Sequence, residues 1–402
     1  MPDRDEAVKS PEPLFTPRFA GMWTFSFVTF FSAFQLLPAV PFRIMALGGN
    51  KGEAGLFLTV YTMMSALAAP LMGTIADHFG RRRTLVTASL AFIVFSILYG
   101  IIRNLPLLFL VAAVHGSLWS AILASSSAIM TEFIPESRRT QGIAMWGLAS
   151  MTAFAVAPAV GLFVFRYGWL TLCGELAVLS ALMAVAGWLL PVQDRDRPQN
   201  APKLSDAWDV RVMLTTVSLA VTAFGYGGIT SFVAILSLER HIHPESLFFT
   251  VSAATIAVVR ITTSHLGDRL GPKAILYPSL LAIPIAFALL AMAYTRWQLV
   301  TSAVIFGAGF GSMYPAFATF VLAHTNPERR ARTFGSIIGA FDVGISLGSL
   351  AVGYIGQHFS LGTAFGIAAA LSCLAVPIFI VTSKRLAASG TPVASTAEHA
   401  AE

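Results

Sequence analysis

Residues 73–84 read GTIADHFGRRRT, a polar segment at the junction of two long apolar runs, residues 53–76 and 84–102. An apolar run of about 20 residues is long enough to cross the hydrocarbon core of a bilayer as an α-helix. A short, strongly basic loop between two such runs is typical of the cytoplasmic face of a membrane protein. The segment therefore predicts two membrane-spanning helices that are joined on the inner face.

The same pattern of apolar runs extends over the chain of 402 residues, of which 56% are hydrophobic and only 11% charged. Soluble domains carry about 25% charged residues, so this composition excludes a soluble fold. Proline and glycine interrupt several runs, which membrane helices tolerate when neighbouring groups satisfy the freed backbone. The sequence predicts an all-α membrane protein with twelve transmembrane helices, at approximately 19–42, 53–76, 84–102, 105–131, 142–165, 168–190, 211–237, 246–266, 273–294, 298–323, 333–356 and 361–382.

The positive charges predict the orientation. If both termini are cytoplasmic, nineteen of the 26 lysines and arginines lie in inner segments and six in outer segments, with Arg260 inside a helix. The positive-inside rule then places both termini in the cytoplasm of a multi-pass protein of the bacterial plasma (inner) membrane. The N-terminal stretch lacks a signal-peptide pattern, so the first helix is expected to stay in the mature protein.

The chain divides into two similar halves. A polar stretch separates six predicted helices from six others, and a shift of 191 residues brings Asp77 onto Asp268, Gly80 onto Gly271, Gly116 onto Gly307 and Arg138-Arg139 onto Arg329-Arg330. Two repeated bundles around a pseudo-twofold axis form a transporter cavity at their junction. The predicted organisation is a cytoplasmic tail at 1–18, a bundle at 19–190, a cytoplasmic linker at 191–210, a second bundle at 211–383 and a disordered tail at 384–402.

Other function classes find little support. The net charge of +6 comes from short basic clusters between apolar runs, which argues against a nucleic-acid partner. Cys173 and Cys373 lie inside apolar runs and form neither a disulfide framework nor a metal-ligand spacing. The sequence has no histidine box, paired catalytic carboxylates or nucleophile elbow. We therefore expect no enzyme activity, no metal and no cofactor.

The segment at 73–84 resembles the signature loop of the major facilitator superfamily, in which glycine, an acidic residue, a second glycine and a basic cluster follow in order. The resemblance implies a gate that breaks and reforms as the halves rock, built here from Gly73, Asp77, Gly80, Arg81 and Arg82. A weaker copy, HLGDRLGPK, provides Asp268, Arg269 and Gly271. His78 stands where the family usually has Arg or Lys. The alternative is a plain positively charged loop.

A second element, Ala157-Pro158-Ala159-Val160-Gly161, resembles the Gly-Pro-x-x-Gly motif of the family's antiporters, with alanine in place of the first glycine. Pro158 bends a helix by removing a backbone donor, and Gly161 allows tight packing. This resemblance favours export, although an ordinary proline-kinked helix fits equally well. The stretches GSMYPAFATF and AFDVGISLG point to the bacterial drug- and metabolite-efflux branch, and the resemblance covers residues 18–385.

Four ionisable residues inside apolar runs are candidates for proton coupling: Asp342, His115, Arg260 and Glu175. A charge at the bilayer centre costs about 2.5–3.5 kcal/mol on insertion scales, so such residues pair or serve function. Asp342 lies about ten residues into its helix, roughly 15 Å deep and near the midplane. Histidine as a residue type titrates near neutral pH, which makes His115 a candidate for the protonatable group. A coupling role and a structural hydrogen bond are both open for each residue, and the structural role is favoured for His115, Arg260 and Glu175.

The predicted substrate cavity is mostly aromatic. In the resembling family helices 1, 4, 7 and 10 line the cavity, and here these helices carry Gln35, His115, Trp119, Tyr226, Phe310 and Tyr314. The set suits a small amphipathic organic molecule better than a sugar or a polyanion, although each residue fits a packing role equally well. The sequence thus predicts a monomeric, proton-coupled exporter in the lipid bilayer that works by alternating access. The alternative is a metabolite importer on the same fold.

Overall fold

The computed structural model describes residues 13–135, 138–191, 210–324 and 330–389, and all regular structure within these ranges is helical. Several helices begin at side-chain caps. At the start of α2, for example, Asn50 accepts from the Glu53 amide and Glu53 accepts from the Asn50 amide. The helices are α1 Pro17–Ala46, α2 Lys51–Phe79, α3 Arg81–Ile101, α4 Leu105–Phe133, α5 Arg139–Phe165, α6 Trp169–Leu189, α7 Val210–Glu239, α8 Leu247–Leu270, α9 Pro272–Ala291, α10 Arg296–Ala323, α11 Arg330–His358, α12 Leu361–Ser372 and α13 Ala375–Ser389.

The predicted fold class is confirmed. Among the described residues, eleven segments are long and apolar enough to cross a membrane, and each coincides with one predicted run. The twelfth run corresponds to α8, whose apolar part, Leu247–Arg260, is shorter.

The last predicted helix is divided into α12 and α13. Pro377 has no backbone N–H, so the carbonyl of Cys373, four residues earlier, has no helical donor. The two pieces still form one apolar span, Leu361–Lys384. Helix α13 continues to Ser389, five residues beyond the predicted start of the C-terminal tail.

Two glycines with positive φ make the sharp turns that precede α3 and α9. Gly80 has φ +96° and is the single residue between α2 and α3, and Gly271 has φ +79° and is the single residue between α8 and α9. A side chain at either position would be strained in this backbone conformation. The two positions are 191 residues apart, so the repeat seen in the sequence also holds for backbone conformation.

Each half packs its helices in the same order. In the N-terminal half α1 contacts α5, α2 contacts α4 and α3 contacts α6; in the C-terminal half α7 contacts α11, α8 contacts α10 and α9 contacts α12. One close approach recurs in both halves. A Cβ at Gly116 would lie 2.0 Å from the Tyr61 carbonyl oxygen, and one at Gly307 would lie 2.7 Å from the Ser252 carbonyl oxygen. Both glycines and both partners are separated by the same 191 residues.

The halves meet through α2 with α11, α5 with α8, and α1 and α2 with α7. We call the end of the bundle with the α1–α2, α3–α4, α5–α6, α7–α8, α9–α10 and α11–α12 connections the far side. The opposite end, which holds the α2–α3 and α8–α9 turns, is the linker side. The site described next lies between these two ends, where the halves meet.

Candidate functional site

A chain of aromatic rings crosses from one half to the other. Trp119 on α4 contacts Phe30 on α1, with ring centroids 5.2 Å apart, and Phe30 stacks on Phe34 at 6.0 Å. Phe34 contacts Phe154 on α5 at 5.1 Å, and Phe154 contacts Tyr226 on α7 at 5.4 Å. Most of these rings are half-buried, as expected for side chains that face the junction between the halves.

The aromatic chain continues within the C-terminal half. Tyr226 and Phe310 on α10 have ring centroids 4.7 Å apart, and both rings lie about 6 Å from Phe341 on α11. Tyr314 contacts Phe341 edge-on at 5.6 Å. The structure thus brings together four of the six residues predicted to line the cavity: Trp119, Tyr226, Phe310 and Tyr314.

Asp342 follows Phe341 directly and lies at this aromatic junction. Its carboxyl is within electrostatic range of the hydroxyls of Tyr61 on α2 and Tyr314 on α10. Its backbone carbonyl accepts the Ser346 hydroxyl at 2.8 Å. A carboxyl beside a weakly polar aromatic surface offers one site of charge that a proton or a cationic group can occupy.

His115 lies in the interior of the N-terminal bundle, away from the aromatic junction. Its Nδ1 is 3.2 Å from the Tyr99 hydroxyl, and its ring is 4.3 Å from that of Phe92 and 5.0 Å from that of Phe95. Its Nε2 has no partner and borders a cavity of about 10 Å³ between α1, α3, α4 and α6. Its ring also contacts that of Tyr61 on α2 at 5.0 Å, so a single ring separates His115 from the junction.

Gln35 and Glu175 also face this interior. The Glu175 carboxyl on α6 lies near the Gln35 amide on α1, but no hydrogen bond joins the two groups. Neither polar atom of Gln35 reaches a hydrogen-bond partner, although the side chain is fully buried. Arg260 on α8 is half-buried, and its Nε likewise has no partner. None of these three side chains joins Asp342 at the junction.

A seam of small and hydroxyl residues closes the far side between α2 and α11. The Thr59 hydroxyl donates to the Ser346 carbonyl at 2.7 Å, and the Thr62 and Ser346 hydroxyls lie 2.5 Å apart. The Ser349 hydroxyl donates to the Gly55 carbonyl at 3.0 Å. A Cβ at Gly55 would lie 2.3 Å from the Ser349 carbonyl oxygen, so the two backbones nearly touch.

Ion pairs join the halves at the far ends of the helices. Lys51 at the start of α2 pairs with Glu239 at the end of α7, with nitrogen and oxygen 2.5 Å apart. Arg166 after α5 lies 3.3 Å from Glu245 in the α7–α8 loop, and His243 also contacts Glu245, at 2.7 Å. Burial raises the pKa of Glu245, but the hydrogen bonds from its own backbone, His243 and Arg166 outweigh burial and hold the pKa below its usual value.

The predicted gate on the linker side makes its described contacts within one half. Asp77 and Arg81 form an ion pair at 3.3 Å, and Arg81 also contacts Glu132 at the end of α4 at 2.5 Å. Arg82 donates to the Trp188 carbonyl at the end of α6 and lies 5.3 Å from the Trp188 ring. The loop thus ties α2 and α3 to α4 and α6.

The remaining gate glycines differ in their surroundings. A Cβ built at Gly73 has no atom of a neighbouring element within 4 Å, so no other helix packs closely against this glycine. Gly271 forms the second turn described above. The side chains of Asp268 and Arg269 lie outside the described residues, so the two loops are compared at their glycines alone.

The helix-5 element packs α5 against α1. Pro158 and Gly161 are both buried, and a Cβ at Gly161 would lie 2.6 Å from the Gln35 carbonyl oxygen. The glycine is therefore needed for the close approach of the two helices.

Sequence reasoning missed Phe154, Phe341 and Tyr61. The predicted cavity was restricted to helices 1, 4, 7 and 10, whereas Phe154 lies on α5, Phe341 on α11 and Tyr61 on α2. One available signal was position: Phe341 directly precedes Asp342, and Phe154 lies one turn before Pro158.

Known proteins resemble this chain over nearly its full length. A sequence profile described as Major Facilitator Superfamily matches residues 22–260 and 215–400. Multidrug resistance protein MdtG of Serratia proteamaculans (strain 568) is 23% identical over 367 residues, covering 86% of this chain and 89% of the relative. The protein of the same name from Proteus mirabilis (strain HI4320) is 22% identical, and the match covers 87% of this chain and 92% of the relative.

Solved structures share the fold at low identity. A bacterial homolog of the human lysosomal transporter Spinster, in an inward-facing and unoccupied conformation, superposes with a TM-score of 0.78 at 15% identity and covers 96% of this chain and 100% of its own. The nucleoside transporter NupG superposes with a TM-score of 0.74 at 16% identity, and the match covers 92% of this chain and 100% of NupG.

Proposed function

The chain belongs to the major facilitator superfamily and is a membrane transporter, and from this premise we propose that it is a proton-coupled exporter of a small amphipathic organic molecule. The observation that carries the proposal is the continuous aromatic surface between the halves with one carboxyl, Asp342, at its edge. Such a surface binds apolar and aromatic groups, and a single titratable group supplies a proton site. The curated relatives named for multidrug resistance support export.

The excess of positive charge on the linker side supports a cytoplasmic linker and cytoplasmic termini in the inner membrane. In that orientation the far side faces outward. The α2–α11 seam and the Lys51–Glu239 pair then hold the outer side closed, as is required while an exporter collects its substrate from the cytoplasm. Alternating access requires that this seam separate while the linker side closes. The monomer is the transporting unit in this proposal.

Direction and coupling are tested together in proteoliposomes. A thermal-shift screen of the purified protein against amphipathic organic compounds supplies the probe, and its movement is then followed across a membrane with an imposed pH difference. We expect the probe to move against the direction of proton flow. Movement of probe and protons in the same direction would instead support the importer.

Phe154→Ala tests the aromatic site. The ring lies between Phe34, Tyr226 and Phe310, and an aromatic group of the probe that packs on it gains about 0.5–1.5 kcal/mol beyond the area that it buries. We expect probe affinity to fall about tenfold or more, since a tenfold loss corresponds to about 1.4 kcal/mol. The matched control is Phe163→Ala on the same helix, whose ring is 54% exposed on the outer surface of the bundle. Equal effects of the two substitutions on affinity would remove Phe154 from the site.

A further inference from the structure

The hydroxyl of Tyr61 on α2 is buried without a hydrogen-bond partner. The side chain is 4% exposed, and its ring packs edge-on against His115 with centroids 5.0 Å apart. An unpaired buried hydroxyl is costly, so its persistence in a native structure needs a reason.

Tyr61 is firmly attached to the N-terminal half and yet lies at the seam with the other half. Its carbonyl is the atom that Gly116 approaches, which fixes α2 on α4. The next residue, Thr62, contacts the Ser346 hydroxyl across the seam at 2.5 Å. Ser346 lies one turn from Asp342 on α11 and donates to its carbonyl. The seam contact therefore places Tyr61 on the segment of α2 that packs against the segment of α11 carrying Asp342.

Two titratable side chains face Asp342 from the helices packed against α11. They are Tyr61 from α2 and Tyr314 from α10, and both interact electrostatically with the carboxyl. In the part of the chain that the structure describes, no lysine, arginine or histidine forms an ion pair with Asp342. Among titratable side chains, the hydroxyls of these two tyrosines therefore provide the polar surroundings of the Asp342 carboxyl.

The two tyrosines differ in the half to which they belong. Tyr314 and Asp342 are both in the C-terminal half and move together when the halves rock. Tyr61 is in the N-terminal half, so its distance from Asp342 changes when α2 and α11 separate. Only an interaction that differs between two conformations can shift the equilibrium between them.

We propose that Tyr61 is a positioning residue that makes closure of the far side depend on the charge of Asp342. A hydroxyl stabilises an ionised carboxylate more than a carboxylic acid, and since the packed seam has no direct hydrogen bond between the two groups, this interaction acts electrostatically or through one bridging water. The ionised form of Asp342 therefore favours the state in which α2 and α11 are packed, and protonation releases the seam. The inference rests on the proposed function in one respect, which is that Asp342 takes up the coupling proton.

The experiment measures opening of the far side as a function of pH, without any substrate. Cys173 is replaced by alanine and Cys373 by serine, and spin labels are attached at positions 103 and 359, in far-side connections of different halves. Between about pH 8 and about pH 5, the open-to-closed ratio of the labelled parent is expected to rise about 5- to 10-fold. In Tyr61→Phe, which keeps the ring, the ratio is expected to change less than about 2-fold.

Tyr314→Phe is the matched control, since it removes the other hydroxyl near Asp342 but leaves the full pH response. Tyr61→Gln, which returns a neutral donor, is expected to recover the response. A full response in Tyr61→Phe, or an equal loss in Tyr314→Phe, overturns the role of Tyr61. Asp342→Asn separates this inference from the proposed function: if it keeps the full response, Asp342 is not the proton site at all.

Discussion

Asp342→Asn is expected to abolish accumulation of the transported molecule against its gradient while leaving the protein folded and able to bind. Asparagine has nearly the same shape as aspartate but cannot exchange a proton, and it removes a charge from the membrane interior. One pH unit is worth about 1.4 kcal/mol per proton, so a one-proton exchanger sustains a concentration ratio of about tenfold per pH unit. The variant is expected to sustain a ratio of about one.

The measurement is the steady-state concentration ratio of the probe in proteoliposomes with an imposed pH difference. Binding is followed separately by the thermal shift that the probe produces. Glu175→Gln is the matched control, since it also neutralises an intramembrane carboxyl but on α6, away from the junction. A normal ratio in Asp342→Asn together with a lost ratio in Glu175→Gln or His115→Asn would move the coupling role into the N-terminal bundle.

Gly55→Ala is expected to open the far side. The new Cβ would lie 2.3 Å from the Ser349 carbonyl oxygen, which belongs to the backbone of α11 and cannot rotate away. Overpacking of this kind costs about 1–3 kcal/mol, and here the cost falls only on the state in which α2 and α11 are in contact. The equilibrium should therefore shift toward the state open on the far side by about 5- to 150-fold.

The shift is read from the distance between labels at positions 103 and 359, and transport is expected to slow because the inward-open state becomes rare. The matched control is Gly174→Ala on α6, where a Cβ meets no atom within 4 Å. The control should leave both the distance and the transport rate unchanged. If Gly55→Ala lowered thermal stability without changing the distance, the contact would serve the fold and not the conformational cycle.

Much of the fold was predictable from the sequence because membrane insertion is encoded locally. An apolar run of sufficient length forms a helix wherever it lies, since the bilayer leaves its backbone no other partners. The repeat was predictable for the same reason, because Gly80 and Gly271 satisfy the same local requirement for positive φ. The break before α13 was not predicted, although Pro377 was visible, because prolines within other membrane helices here cause no break.

The candidate site was predictable only in part. Trp119, Tyr226, Phe310 and Tyr314 could be chosen once four helices were taken to line a cavity. Gln35 directly follows Phe34 on α1 but faces the N-terminal bundle, because neighbouring positions on a helix are rotated by about 100°. His115 lies one turn before Trp119 on the same face of α4, and its ring packs on Tyr61 and Phe92. The sequence of an all-apolar helix gives little indication of which face meets which neighbour.

The sequence by itself determined that the chain is a membrane protein of repeated apolar helices, and it predicted two related six-helix bundles with one carboxyl, Asp342, near the midplane. These features depend on composition, length and local spacing. Only the tertiary structure decided that Phe154 completes the aromatic surface, that Gly55 meets Ser349, and that Tyr61 lies beside the α2–α11 seam. Residues nearly 300 positions apart come into contact through the rotation and tilt of whole helices, and no local property of the sequence records that geometry.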